Sequence, residues 1–241
     1  ISALWKQHQK FGKLAWAELF DPAIALAEEG FKVSPRLADA IADADKLEDD
    51  DAAQALYFLP DSAGPRAGEP LPAGYMLRTP DYARTLRLIA AGGPDGFYKG
   101  KTAELIADEM KRGGGLVDAE SLAADRAVDR EPVSGTYRGY EVVTMAPPSS
   151  GGVHLLQMLN ILEYFPVAEF GAGSADSTHL LAEVARLAYA DRSEHLGDPD
   201  YYDVPVEWLT SKEYGKELAT TIDMRQARKS ADVSAGVAPH P

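Results

Sequence analysis

The sequence predicts a helix-rich α+β fold, and three observations carry that expectation. Proline follows a capping-type residue at Asp21-Pro22, Ser34-Pro35 and Thr79-Pro80, the favoured chemistry of a helix start. One region, Pro132 to Met145, alternates apolar and polar residues around Arg138-Gly139, as two strands joined by a tight turn do. Through the rest of the chain apolar residues recur at intervals of three and four, the period of a helix with one buried face.

Taken in order, "ISALWKQHQKFGKLAW" reads as the interior of a helix, with Leu4 and the Phe11 region apolar around Lys6, Gln7 and Gln9. It shows neither an initiator Met nor the architecture of a signal or transit peptide. With "ADVSAGVAPHP" closing the chain as a loop, the expectation is a piece of something longer. Pro22 to Glu29 is expected as a helix with Ile24, Leu26 and Ala27 inward and Gly30 as its stop. A second helix from Pro35 places Leu37, Ile41 and Ala44 on one face and ends in the acidic run Glu48 to Asp51. That run reads as a solvated helix end rather than a cation site. Residues 60–74, "PDSAGPRAGEPLPAG", are rich in Pro and Gly and are expected as an irregular loop within a single domain spanning 1–241. Helices follow from Pro80 to Ala91, with Tyr82, Leu86 and Ile89 in register, and from Gly96 to Arg112. In the second, Phe97, Ala103, Ile106, Ala107 and Met110 form the apolar stripe, Gly113 to Gly115 end it, and Phe97-Tyr98 reads as core packing rather than a ligand platform.

The stretch from Glu141 to Leu162, "EVVTMAPPSSGGVHLLQMLNIL", carries no formal charge between Glu141 and Glu163. A membrane span needs about 20 residues able to run as one helix, and Pro147-Pro148 with Gly151 and Gly152 interrupt that. The reading is a strand, a rigid turn and a helix capped by Ser149 or Ser150, with Leu155, Leu156, Leu159 and Leu162 buried. A long helix from Ala175 to Leu196 is expected to turn Leu180, Val184, Leu187 and Ala188 inward and Glu183, Arg186 and Arg192 outward. Short helices begin at Pro205 and Ser211.

Acidic residues outnumber basic ones 38 to 24, a formal charge of -14, which argues against nucleic acid or an anionic membrane as partner. The absence of cysteine excludes disulfides, thiolate metal sites and a thiol nucleophile. His8, His154, His179, His195 and His240 form no zinc-type spacing. His154 is either a base beside Ser149-Ser150 or a structural histidine, and base rates favour the latter. "DRSEHLGDPDYYD" gathers Asp191, Glu194, Asp198, Asp200 and Asp203. A calcium loop would need a Gly at its turn position, so a helix end followed by a capped turn is the simpler account. "PPSSGG" lacks both the elbow of a nucleophilic serine and the lysine of a phosphate loop. No catalytic, cofactor-binding or metal residue is assigned, and no cofactor is expected.

Five blocks in order, "LFDPAIALAEEGFKVSPRLA", "GGPDGFYKGKTAELIADEM", "GGLVDAESLAADRAVDREPVSGTYRGYEV", "MAPPSSGGVHLLQMLNILE" and "LAYADRSEHLGDPDY", resemble the large subunit of γ-glutamyltranspeptidases. The likeness runs from about Phe11 to Pro239. It implies part of a four-layer αββα Ntn-hydrolase sandwich, made as a precursor that cuts itself into large and small subunits. It further implies that the first threonine of the small subunit cuts the chain and then attacks γ-glutamyl groups, glutathione being the usual donor, and that water or an amino acid resolves the acyl-enzyme. The small subunit is then the partner, and the compartment is periplasmic or extracellular. The family's processing threonine follows an Ala-Pro segment like Ala238-Pro239, and none follows here. The arginine that clamps the donor carboxylate has no counterpart, and Thr220 and Thr221 lack the processing context. The chain alone is therefore expected to be inactive. Alternatives are a same-scaffold amidase, of cephalosporin acylase or poly-γ-glutamate-processing type, and a non-catalytic helical scaffold.

Overall fold

The computed structural model describes residues 1–239 and is helix-rich α+β, as expected. The sequence predicts one domain over 1–241; by its contacts the chain comprises two compact units, residues 1–128 and the residues from Asp129 on.

The first unit begins with α1 (Ser2–Phe11) and a 3-10 turn, Ala17–Phe20, that runs directly into α2 (Asp21–Glu29). Because of that continuity Asp21 lies inside the helix and caps nothing, contrary to the expectation for Asp21-Pro22. Ile24 and Ala27 are buried against Ala83 and Leu86, whereas Leu26 is exposed, one step off the buried stripe. Strand β1 (Phe31–Lys32) follows, then α3 (Pro35–Ala42), whose Ser34 hydroxyl accepts from the Leu37 amide at 3.1 Å as predicted. The acidic run is more than a solvated end. Asp50 caps a further helix, α4 (Asp51–Tyr57), its carboxylate accepting from the Ala53 amide at 2.8 Å.

Residues 60–74 hold a 3-10 stretch, Asp61–Arg66, before β2 (Met76–Leu77) pairs antiparallel with β1. Helix α5 (Pro80–Gly92) buries Ala83, Leu86 and Ile89. Tyr82 faces outward and Thr79 makes no side-chain cap, so two expectations fail there. The predicted 96–112 helix is broken at Lys99 into α6 (Asp95–Tyr98) and α7 (Gly100–Gly113), closed by left-handed Gly114. Helix α8 (Ala119–Ala124) has a capping box in which Asp118 and Ser121 exchange hydrogen bonds.

The second unit opens with the predicted hairpin, β3 (Val133–Tyr137) and β4 (Tyr140–Thr144), in register from Val133↔Thr144 to Tyr137↔Tyr140. Arg138 and Gly139 both have positive φ, 48° and 86°, the primed turn that matches the strand twist. Arg138 accepts this backbone because its amide donates to Glu163 Oε1 at 2.7 Å and its guanidinium to the Phe165 carbonyl at 2.7 Å. Lys212 Nζ completes the tie, donating to Glu163 at 2.7 Å.

Helices α9 (Ser150–Leu162), α10 (Val167–Phe170), α11 (Ala175–His195), α12 (Val206–Leu209) and α13 (Lys212–Thr220) complete the unit. Ser149 is the α9 cap, accepting from the Gly151 amide at 3.4 Å, and Leu155 is exposed although predicted buried. The tight glycine is Gly152, where a Cβ would meet the Met145 carbonyl oxygen at 2.0 Å; at Gly151 it would meet only the Ser149 hydroxyl, at an ordinary 3.6 Å. Core residues Val153, Ile161, Leu180, Val184, Leu187, Leu209 and Leu218 join α9, α11, α12 and α13. Among the described residues no helix is long and apolar enough to cross a membrane.

Candidate functional site

The sequence candidates around α9 do not assemble into a nucleophile and base. Ser150 Oγ accepts from Arg192 Nε at 3.0 Å, while Ser149 is committed to its cap. The His154 ring sits edge-on to Tyr189 with centroids 4.3 Å apart, and its Nε2 is buried without a partner. Burial, and secondarily the charge of Arg192, lower its pKa, so the ring is neutral at pH 7. Among the described residues no hydrogen bond joins His154 to either serine. Thr220 and Thr221 spend their hydroxyls on the Glu217 and Leu218 carbonyls at 2.6 and 2.7 Å. His8, His179 and His195 each bond a backbone carbonyl, and His240 lies outside the described residues.

The acidic stretch after α11 disperses. Asp198 and Asp200 face Arg130, at 3.6 and 2.7 Å, and the Asp200 amide turns back onto Asp198. No group among the described residues is arranged to hold a metal ion.

The polar groups that do converge lie on the buried face of α11. Glu183 was expected outward and is 0% exposed; Asp191 is 1% exposed. Glu183 accepts from the Arg186 guanidinium, from the Arg228 amide at 3.0 Å and from Arg228 Nε at 2.7 Å. Burial pushes its pKa up, but the Arg228 hydrogen bonds and the two guanidinium charges outweigh that and hold it below the ordinary value. Two turns on, Asp191 Oδ1 accepts from the Gly236 amide at 2.8 Å. Its Oδ2 accepts from Gln157 Nε2 and from the Tyr214 hydroxyl, the latter at 2.8 Å. Burial, and then the bond to Asp191, raise the Tyr214 pKa and keep the hydroxyl a donor. His195 Nε2 lies 2.8 Å from the Gly236 carbonyl, and Trp208 packs against both the His195 and Tyr214 rings. Chemically this is an anchor: two carboxylates on one helix hold the backbone of the C-terminal segment at Arg228 and at Gly236.

A helix-rich α+β chain with an anchored C-terminal segment and, among the described residues, no assembled nucleophile and base fits a component of an Ntn-hydrolase, and likeness to known proteins specifies which kind. The family model described as gamma-glutamyltranspeptidase matches residues 1–240, and the chain belongs to that family. It is 44% identical over 229 residues to the glutathione hydrolase proenzyme of Escherichia coli, covering 94% of this chain and 38% of that protein. It is 45% identical over 228 residues to the acylase ACY 1 proenzyme of a Pseudomonas strain, covering 94% of this chain and 40% of that one. The crystal structure of Helicobacter pylori gamma-glutamyltranspeptidase superposes with a TM-score of 0.87 at 36% identity, covering 96% of this chain and 65% of that chain. The chain thus spans about two fifths of the length of these curated relatives.

Proposed function

We propose that this chain is the large-subunit part of a γ-glutamyltransferase or glutathione hydrolase. The complete enzyme transfers γ-glutamyl groups from glutathione and related amides to water or amino acids. Its nucleophile is the N-terminal threonine of a small subunit cut from the same precursor, whose freed amine serves as base. The observation that carries this reading is a family match through residues 1–240 combined with coverage of only 38% of the Escherichia coli glutathione hydrolase proenzyme. Val143, Met145 and Val237, at 59%, 67% and 85% exposed, supply apolar surface for a partner chain. The compartment proposed is the periplasm or the medium, as the family resemblance implies.

The test is γ-glutamyl-p-nitroanilide turnover by the purified chain and by the chain co-expressed with the downstream half of its precursor. The expected result is no turnover by the chain alone and clear turnover by the pair. Turnover by the isolated chain would overturn the assignment of the nucleophile to the partner. A second reading, a same-scaffold amidase, is favoured by the equally high identity to the acylase. A pair that hydrolyses an acylated cephalosporin but not the γ-glutamyl anilide would establish it.

A further inference from the structure

The C-terminal segment does not merely end on the second unit; it is tied along α11 in register. Arg228 is held by Glu183, the Ser230 hydroxyl accepts from Arg186 Nε at 3.4 Å, and Gly236 is held by Asp191 and His195. Glu183 and Asp191 are separated by about 12 Å along the helix. The eight-residue advance from Arg228 to Gly236 would cover about 26 Å if fully extended. The 3-10 turn Ser230–Asp232 takes up part of that difference, so both ends of the segment are fixed at once. Beyond the second tie Val237 is exposed, and Gly236 makes the last described hydrogen bonds before Pro239.

The grip on Gly236 is built into the backbone. A Cβ there would meet the Tyr214 hydroxyl oxygen at 2.1 Å, so only glycine lets the amide reach Asp191 while the hydroxyl keeps its own bond to the same carboxylate. Gln157, itself 2% exposed, fixes the carboxylate from the α9 side.

We propose that Asp191, with Tyr214 and Gln157, is a positioning residue for self-cleavage of the precursor and not for turnover. This rests on the reading above, in which a threonine a few residues past Ala238-Pro239 cuts the chain. In that step the threonine hydroxyl oxygen adds to the preceding carbonyl carbon. The peptide C–N bond breaks, the hydroxyl proton ends on the freed amine, and an ester remains. Water then cleaves the ester, leaving a carboxylate on the upstream chain and restoring the hydroxyl. The reaction requires oxygen and carbon to be held about 3–3.5 Å apart in a strained local geometry. A slack upstream chain loses that geometry, and the Asp191 grip is the nearest described anchor that removes the slack. After cleavage the upstream end no longer has to be held against the nucleophile, so the same grip is dispensable.

The experiment uses the full-length precursor with Asp191→Asn, which keeps the side-chain volume, and separately Gly236→Ala, which acts from the segment and leaves the helix untouched. Conversion to two chains is followed on denaturing gels, with melting temperatures recorded. The same substitutions are placed in the pre-cut, co-expressed pair, where kcat and KM are measured. We expect conversion to slow by about ten- to a hundredfold in both precursors, with kcat and KM of the pre-cut pair near those of the unaltered pair. Conversion at the unaltered rate in a folded precursor overturns the inference, as does a kcat loss in the pre-cut pair equal to the loss in conversion. If Asp191→Asn does not fold, Gly236→Ala decides by the same two readings. An unaltered precursor that never cuts itself overturns the enclosing reading instead, which separates the two failures.

Discussion

Two carboxylates sit eight residues apart on α11, both removed from water, and they are accommodated in opposite ways. Glu183 has guanidinium partners, Arg186 and Arg228, each with a side chain 26% exposed. Among the described residues Asp191 accepts from three neutral donors and no cation, and these bonds stay inside the unit. The contrast teaches what each region is for. An ion pair at a half-open edge cancels charge and tolerates repacking of long, flexible arms. A carboxylate held by an amide, a phenol and a backbone N–H fixes positions, because each donor has one geometry to satisfy and no substitute partner.

The comparison breaks most visibly at Asp191. Asp191→Ala leaves the Tyr214 hydroxyl, the Gln157 amide and the Gly236 N–H without their acceptor, the first two buried and the third half-buried. Orphaned buried donors cost about 1–3 kcal/mol each. With some relaxation the expected loss is about 3–5 kcal/mol for the three together. Urea unfolding monitored by tryptophan fluorescence measures it, since Trp208 packs at a tilt on Tyr214 with centroids 4.1 Å apart. A loss under about 1 kcal/mol would show that the donors find other partners, and the geometric account of the site would fall.

At the other carboxylate, Arg228→Ala removes a cation and an anchoring arm but leaves Arg186 and the residue-228 amide on Glu183. Breaking a buried ion pair usually costs about 3–5 kcal/mol. The half-open position of Arg228 puts the expected loss near about 2–3 kcal/mol, below that at Asp191.

Acid sharpens the difference. The Glu183 pKa is held below its ordinary 4.5, so the unfolded chain binds the proton first as pH falls. Stability from this group is fully present above 4.5 and is lost as pH drops from 4.5 through the lower folded value. Glu183→Gln should therefore lower the melting temperature at neutral pH and flatten the acid limb of its pH profile. Glu163 contributes in the same direction: Lys212 and Arg138 lower its pKa against the effect of burial, and that share of the limb survives in the variant. An acid limb unchanged by Glu183→Gln would remove the ion-pair account.

Much of the fold was readable because local chemistry decided it. Ser34, Ser149 and Ser211 cap the helices their sequences announce, and Arg138-Gly139 turns the hairpin. Asp21 and Thr79 had the same signature and do not cap, because the preceding backbone decided the entry, a 3-10 turn before Asp21 and a non-extended Thr79. The anchor was harder to read. Asp191 and His195 continue the stripe of Leu180, Val184, Leu187 and Ala188 at helical spacing, so their inward direction was written in the sequence, against the prior that acids face water. Glu183 falls on the flank of the same stripe, and its burial depends on Arg228, which lies 45 residues away. Gly236 had no local signal at all. Its meaning is the proximity of Tyr214, which only tertiary structure supplies.

The smallest expected effect tests whether the two ends of the helix differ by charge or by geometry. Arg186 reaches Glu183 from three residues along the same helix and bonds Ser230 at the long distance of 3.4 Å. Pairs of this spacing on a helix contribute about 0.2–0.5 kcal/mol, somewhat more where one partner is dry. Arg186→Ala removes that charge but leaves both Arg228 bonds on Glu183, so the expected loss is about 0.5–1 kcal/mol and should shrink in high salt. The same salt series on Asp191→Ala should show no such shrinkage, since among the described residues no cation bonds that carboxylate. If Arg186→Ala matched the cost of Arg228→Ala, the net charge around Glu183 would be the deciding quantity. The anchoring of the segment at residue 228 would then be incidental to a charge balance, and only the Gly236 end of α11 would remain an anchor.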